Sequence, residues 1–259
     1  MNTSPEALAL LATIGVISGF LNVTAGGGSL LTVPALVFLG LSGPAANGTN
    51  RIGILLQNLT AIWAFRNRGF SAFKLSASLA LATLPGAIAG AYLGVKLDGE
   101  LFNAVLAGVM IVVMIIMQFQ GSWKTHAMVP QRPEISRPRL IAGHVLMGLA
   151  GIWGGFIQIG VGFLIMPILS RVMGLSLVET NMHKVFIIAF FSIVALIIFA
   201  AESQIIWLLG GALAVGNMIG AYFAVRVSIA RGERFIYWTL NITLLAMIAK
   251  LLWDSGMVG

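Results

Sequence analysis

The chain has 259 residues, of which 59% are hydrophobic and only 9% are charged, and its mean hydropathy is +0.99. So apolar a composition excludes a soluble globular domain and predicts a helical protein that crosses a membrane several times. The net charge of +7 does not indicate nucleic-acid binding, because the basic residues lie in short loops between apolar runs, where they orient membrane helices. The absence of cysteine excludes disulfides and thiolate metal sites, and we predict no cofactor and no metal.

Ten apolar runs follow one another along the chain. Five precede and five follow a polar linker at residues 120–139, which contains three prolines and several basic residues. The bounds of the runs are 7–23, 29–41, 45–65, 72–95, 101–119, 140–157, 161–173, 178–201, 205–227 and 235–253. We therefore predict a first five-helix repeat at residues 1–119, a cytoplasmic linker at 120–139 and a second five-helix repeat at 140–259.

The two halves have matching sequence features. A shift of 133 residues places Arg51 on Lys184 and Gly27 on Gly160. A shift of 130 residues places GAIAGAYLGVKL, which starts at Gly86, on GNMIGAYFAVRV. Two matches in the same order at nearly the same offset indicate an internal duplication. Within the second match, Gly90 and Gly94 are interpreted as helix-packing residues.

Loop charges predict how the two copies are oriented. The loop after the third run carries Arg66, Arg68 and Lys74, whereas its counterpart in the second half holds only Glu202. The bias reverses at the next pair of loops, where the basic residues stand between runs nine and ten. If the basic loops are cytoplasmic, both termini are extracytoplasmic and each half crosses an odd number of times.

The predicted fold is therefore an all-α polytopic membrane protein with about ten transmembrane or broken helices in two inverted five-helix repeats. Inverted repeats of this kind are typical of secondary transporters, whose solute site lies at the repeat interface. Whether the first and sixth runs cross the membrane completely stays open.

The segment from Asn22 to Arg51 predicts a break in a membrane helix. Three consecutive glycines, Gly26 to Gly28, each cost about 1 kcal/mol relative to alanine in a helix, so an unwound backbone is expected there. Unwound backbone at membrane depth must be buried in protein or line a polar cavity. The short runs at 29–41 and 161–173 are thus predicted to be broken helices beside a solute site.

Small polar residues and one base follow each short run, a combination that suits an anion. We predict that Arg51 and Lys184 clamp the anion between them. The predicted substrate-binding residues are Gly26, Gly27, Gly28, Asn47, Thr49, Asn50, Arg51, Gly160, Gly162, Thr180, Asn181, His183 and Lys184. Two other interpretations stay open: the bases could be interfacial anchors, and Asn47, Thr49 and Asn50 could be helix caps.

Energy coupling is less well specified by the sequence. Among the titratable residues, Glu179 and His183 lie close to the predicted site and are the candidates for proton coupling; the alternative interpretation of His183 is a satisfied polar residue. Coupling to Na⁺, uncoupled efflux driven by the membrane potential, and a homodimer are left open. The spans contain neither a nucleophile–base pair nor a metal cluster, so an enzyme is not predicted.

The segments GFLNVTAGGGSLLTVPALVFLGL and ANGTNR, echoed by GGFIQIGVGFLIMPIL and ETNMHK, resemble the sulfite exporter TauE/SafE family of permeases. The first motif is a specific match, and the second differs at Asn181 to His183. The resemblance covers both halves and implies a transporter in the bacterial cytoplasmic (inner) membrane. It implies export of sulfite, organosulfonates or related small sulfur-containing anions. The alternative is an anion channel or facilitator without alternating access.

Overall fold

The computed structural model describes residues 3–70, 72–97, 101, 108, 135–202 and 205–254, with side chains in the last range described to Arg231 and at Trp238. All regular structure in these ranges is helical. The helices are α1 (Pro5–Thr24), α2 (Ser29–Phe38), α3 (Gly43–Arg66), α4 (Phe73–Val95), α5 (Arg137–Phe156), α6 (Val161–Pro167), α7 (Leu177–Glu202) and α8 (Trp207–Asp254). A π-helical turn, Ile168–Val172, follows α6 directly.

Five of these helices are long and apolar enough to cross a membrane: α1, α4, α5, α7 and the first part of α8, Trp207–Arg231. The expected membrane-protein class is therefore confirmed. Most of the fifth predicted run and most of the linker lie outside the described residues. The last three residues predicted for the linker, 137–139, instead begin α5, because Ser136 is its N-cap and a proline occupies its first turn.

One predicted boundary is not formed. The sequence predicts separate runs at 205–227 and 235–253, whereas α8 is a single helix from Trp207 to Asp254. The intervening residues 228–234 contain no proline and are mostly tolerant of a helix, with Gly232 the one weak helix former. The arrangement of ten helices in two inverted repeats is accordingly not established by the fold.

The two short helices form where the sequence predicts helix breaks. After α1, the chain turns at Gly26, whose φ of +87° is readily adopted by glycine, and resumes as α2. After α5, Gln158 and Gly160 have positive φ angles of 60° and 69° before α6 begins. The helix α2 has ten residues and is about 15 Å long, half the thickness of a bilayer core.

Glycine allows two helix pairs to pack closely, α1 against α8 and α4 against α5. A Cβ atom at Gly90 would collide with the carbonyl oxygen of Ile152, and one at Gly220 would collide with that of Val16. Small residues of this kind let membrane helices approach backbone to backbone. The predicted packing role of Gly90 is thus confirmed, and Gly94 packs in the same way against Phe156.

Basic residues from separate parts of the chain gather at one end of the helix bundle. Arg68, just after α3, and Arg226 in α8 both lie beside the ring of Tyr222, at 5.9 and 5.8 Å from its centroid. Lys74, at the start of α4, lines the same cleft as Ile135, just before α5. The end of α3 and the starts of α4 and α5 therefore lie at this end, together with Arg226.

Candidate solute site at the helix breaks

The two breaks meet inside the protein. A Cβ atom at Gly26 would lie 2.6 Å from the Cα atom of Gly162, and a Cβ atom at Gly162 would collide with Gly26 in return. No side chain larger than hydrogen fits at either position without displacing the backbone of the other. The loop between α1 and α2 and the start of α6 therefore form one junction.

A small cavity of about 10 Å³ lies beside this junction. Its lining residues are Asn22, Gly26, Ser29, Ile54, Gln57, Gln158, Val161, Gly162 and Ile188. The lining positions in α3 and α7 fall near the middle of those two long helices, well away from both ends. A volume of this size holds about one water molecule.

Asn22 connects three of the elements around the cavity. Its Oδ1 accepts a hydrogen bond of 3.2 Å from the backbone N–H of Ser29, the first residue of α2. Its Nδ2 donates to Oε1 of Gln57 in α3, at 3.3 Å. Asn22 therefore satisfies one of the free N–H groups at the start of α2 and fixes the amide of Gln57 at the cavity.

Gln158 lies across the cavity, in the second break. Its Nε2 donates a hydrogen bond of 2.8 Å to Oγ of Ser192 in α7. Its Oε1 is buried and has no hydrogen-bond partner. The backbone of Gln158 has a φ of 60°, a conformation that residues other than glycine rarely adopt. Strained conformations of this kind concentrate at functional sites.

Arg51 is completely buried and binds the end of α5. Its guanidinium donates to the backbone carbonyl of Gly154 at 3.1 Å and to that of Gly155, and it lies 4.4 Å from the ring centroid of Phe199. Asn47, one turn earlier in α3, donates to the carbonyl of Phe156 at 2.8 Å. These carbonyls belong to the last turn of α5, where carbonyl groups have no hydrogen-bond donor within their own helix.

Lys184 has the corresponding role at the end of α1. Its Nζ donates to the carbonyl of Asn22 at 3.1 Å, to that of Val23 at 2.8 Å and to Oδ1 of Asn181 at 2.7 Å. Asn181 Nδ2 lies 3.5 Å from the carbonyl of Thr24. In both halves, a base and an amide therefore hold the end of a helix from the other half, and the positive charge complements the helix dipole.

Arg51 and Lys184 bind the C-terminal ends of two different helices, α5 and α1 respectively. Their predicted role as a direct anion clamp remains a hypothesis, because both terminal nitrogens of Arg51 and the ammonium group of Lys184 donate to backbone carbonyls. The Nε atom of Arg51 is the exception, since it has no hydrogen-bond partner.

The other predicted residues are distributed around the junction. Gly26 and Gly162 line the cavity, whereas Gly27 packs against the ring of Phe163 and Gly28 against the backbone of Ser18. Gly160 is the N-cap residue of α6.

Three hydroxyl and amide groups in the predicted set lie away from the cavity. Asn50 Oδ1 accepts a hydrogen bond from Oγ1 of Thr32, at 2.7 Å. Thr49 Oγ1 accepts one from the backbone N–H of Ile206, at 3.0 Å. Thr180 Oγ1 is buried without a partner.

Glu179 and His183 line a separate cleft of about 620 Å³ at the basic end of the bundle. Oε2 of Glu179 accepts hydrogen bonds from the backbone N–H and the hydroxyl of Ser176, at 3.1 and 2.9 Å. The ring Nδ1 of His183 lies 2.8 Å from Oγ of Ser76 in α4. The cleft and the cavity share no lining residue, so the two coupling candidates do not contact the junction cavity.

The sequence interpretation did not include four polar residues of the cavity, namely Asn22, Ser29, Gln57 and Gln158. Their only signal in the sequence is an uncharged polar side chain within or beside an apolar run. Polar residues at membrane depth usually face the interior of a helix bundle, and this rule would have singled out Gln57.

Apolar helices long enough to span a bilayer, packed around a buried polar junction, define a polytopic α-helical membrane protein. Its similarity to known proteins identifies the class as membrane transporters. The chain belongs to the sulfite exporter TauE/SafE family, whose model matches residues 11–251. The chain is 29% identical to the probable membrane transporter protein YfcA of Escherichia coli K12, over 97% of this chain and 92% of that protein.

Two further relatives carry similar names. The chain is 26% identical to the probable membrane transporter protein ORF9 of Sinorhizobium sp, over 95% of this chain and 93% of that protein. It is 23% identical to a probable membrane transporter protein of Haemophilus influenzae, over 99% and 98% of the two chains. No solved structure gives a significant match.

Proposed function

We propose that this protein is a secondary transporter that exports sulfite, organosulfonates or related small sulfur-containing anions across the bacterial cytoplasmic membrane. The observation that carries the proposal is the contact between the two helix breaks, Gly26 against Gly162, beside a polar cavity at mid-length of α3 and α7. Paired helix breaks with a solute site between them are typical of secondary transporters. Membership of a family named for sulfite export supports the substrate class.

Reciprocal contacts support an inverted-repeat architecture. The base and amide of α3 hold the end of α5, and those of α7 hold the end of α1. Likewise α1 packs along α8, and α5 packs along α4. An exchange of equivalent partners in this way is the pattern that two copies related by a two-fold axis produce.

The gathering of basic residues supports a membrane orientation. Arg68 and Arg226 share one end of the bundle, and we assign that end to the cytoplasm because short cytoplasmic loops are rich in Lys and Arg. In this orientation the N-terminus is extracytoplasmic, and the cleft lined by Glu179 and His183 opens toward the cytoplasm.

Alternating access is favoured over a channel by the size of the cavity. In the described part of the chain, the junction leaves room for about one water molecule, too little for a conducting path. A carrier that is closed around its site explains this volume, because the two breaks must separate before a larger solute enters. Arg51 and Lys184 supply the positive potential that makes the region attractive to an anion.

The experiment is counterflow in liposomes that contain the purified protein. Labelled sulfite is exchanged against unlabelled sulfite, organosulfonates, thiosulfate, sulfate and chloride, at two pH values. Saturable counterflow that sulfur-containing anions inhibit is the expected result, and a pH dependence would point to Glu179, His183 or a protonated solute. Flux without counterflow would instead identify a channel, and no flux with any sulfur anion would overturn the proposed substrate class.

A further inference from the structure

We propose that the solute is bound at the junction cavity by uncharged amides, with Gln57 and Gln158 as the residues that contact it. This inference rests on the proposed function, since it assigns the binding site of the same transporter. The ligand class is a small oxyanion held by amide N–H donors, without a direct contact from a basic side chain.

The first argument is the use of the available donors. Arg51 and Lys184 direct hydrogen bonds to backbone carbonyls at the ends of α5 and α1, and neither residue lines the cavity. The polar residues that do line it are Asn22, Ser29, Gln57 and Gln158, and none of them is charged. An anion in this cavity would therefore meet amide and hydroxyl groups.

The second argument is the unpartnered amide oxygen of Gln158. Gln158 is 1% exposed and lines the cavity, yet its Oε1 has no hydrogen-bond partner. A buried polar atom without a hydrogen bond is costly in free energy, so we expect a group from outside the protein to form a hydrogen bond with this oxygen. With the cavity closed, one water molecule fits; with the cavity enlarged, the solute takes its place.

The third argument is that Gln158 can present a donor as readily as an acceptor. Its amide holds Oγ of Ser192, and a hydroxyl both donates and accepts hydrogen bonds. Turning the amide by 180° keeps the bond to Ser192 and directs Nε2 to the place that Oε1 held. The same residue therefore pairs with water in the empty state and with an oxyanion in the loaded state.

Gln57 supplies a second donor. Its Oε1 accepts a hydrogen bond from Asn22, which fixes the orientation of the amide, and its Nε2 is the donor left for a ligand. An uncharged site also suits transport, because a solute must bind strongly enough to enter and weakly enough to leave. The buried charges of Arg51 and Lys184 then act through their field and not by contact.

The test measures oxyanion binding by the purified full-length protein through ligand-induced shifts in its thermal unfolding midpoint. The probes are sulfite, methanesulfonate, sulfate, nitrate and chloride. Gln57→Glu and Gln158→Glu keep the shape of the side chain and add a negative charge next to the bound anion. We expect each to raise the concentration needed for half-maximal stabilisation at least tenfold. Gln158→Gly is the second variant, because glycine adopts the positive φ of this position without strain.

Asn58→Ala is the control, since Asn58 is the buried neighbour of Gln57, does not line the cavity and donates to the carbonyl of Ile54, and the substitution adds no charge near the bound anion. It should lower the midpoint of the protein without ligand and leave the ligand concentration dependence unchanged. Unchanged oxyanion affinity in both glutamine variants would overturn the proposed site, as would an absence of stabilisation of the unmodified protein by any oxyanion. Binding of a non-sulfur oxyanion that the variants abolish would support the site and contradict the proposed substrate class.

Discussion

Lys184 donates a hydrogen bond of 2.8 Å from Nζ to the backbone carbonyl of Val23, at the buried end of α1. The last carbonyls of a helix have no hydrogen-bond donor within the helix, and inside a membrane there is no water to supply one. A buried base that comes from the other half of the chain satisfies them here. The bond therefore links the stability of the first helix break to the position of α7.

Removing this base should destabilise the protein. Lys184→Met leaves the carbonyls of Asn22 and Val23 without their charged donor, and an unsatisfied buried acceptor costs about 1–3 kcal/mol. We expect a clearly lower thermal unfolding midpoint in detergent, and partial recovery in Lys184→Arg. Lys74→Met, which removes an exposed lysine at the cleft, is the control and should unfold like the unmodified protein. Equal midpoints for Lys184→Met and the control would show that the cap contributes no stability.

Helix packing predicts opposite effects for two glycine substitutions. Gly90→Ala puts a methyl group against the carbonyl of Ile152, so α4 and α5 must separate and the free energy of unfolding should fall by about 1–3 kcal/mol. At Gly211 in α8 nothing lies within 4 Å of an added Cβ, and alanine there gains about 1 kcal/mol of helix propensity. Thermal unfolding of the two variants side by side checks this order, and a Gly90→Ala protein as stable as Gly211→Ala would contradict the close packing.

Ser176 and Glu179 form a reciprocal cap at the start of α7, and substitutions at these two residues distinguish an effect on stability from an effect on proton coupling. Ser176 Oγ accepts a hydrogen bond from the backbone N–H of Glu179 at 3.3 Å, and the Glu179 carboxylate accepts one from the N–H of Ser176. Ser176→Ala should therefore cost about 0.5–2 kcal/mol of stability, whereas Glu179→Gln keeps the cap and should not.

Glu179→Gln also removes a titratable group. If Glu179 carries the coupled proton, counterflow in this variant becomes independent of pH while its unfolding midpoint stays unchanged. A pH dependence equal to that of the unmodified protein would leave His183 or the solute as the proton carrier.

The proposed orientation can be tested directly, because the chain contains no cysteine and single cysteines can be introduced without a background. Asn67 and Arg226 are exposed at the basic end. Thr3, just before α1, and Lys96, the C-cap residue of α4, are exposed at the opposite end of the bundle. A membrane-impermeant maleimide applied to intact cells should label Thr3→Cys and Lys96→Cys only. Labelling of Asn67→Cys before the membrane is opened would reverse the orientation.

The sequence predicted the helix breaks but not the way in which the chain closes around them. Gly26 to Gly28 and the short runs at 29–41 and 161–173 predicted two interrupted helices, and α2 and α6 form there. These features are local, since glycine propensity and the length of an apolar run do not depend on the rest of the fold. The continuity of α8 was not predicted, because polar and charged residues at 228–234 interrupt the apolar pattern and a continuous helix leaves no other signal in the sequence.

The roles of the site residues depended on contacts between distant segments. The sequence determined that the chain is a membrane protein, that Arg51 and Lys184 align under a shift of 133 residues, and that the chain is interrupted by glycine at the breaks. Only the tertiary structure decided that each base binds the helix end of the other half, more than 100 residues away in both cases. It also decided that Asn22, Gln57 and Gln158 meet at one cavity. The physical reason is that a buried donor forms its hydrogen bond with whichever acceptor the helix packing brings beside it. The sequence around an amide side chain does not indicate which residue that acceptor belongs to.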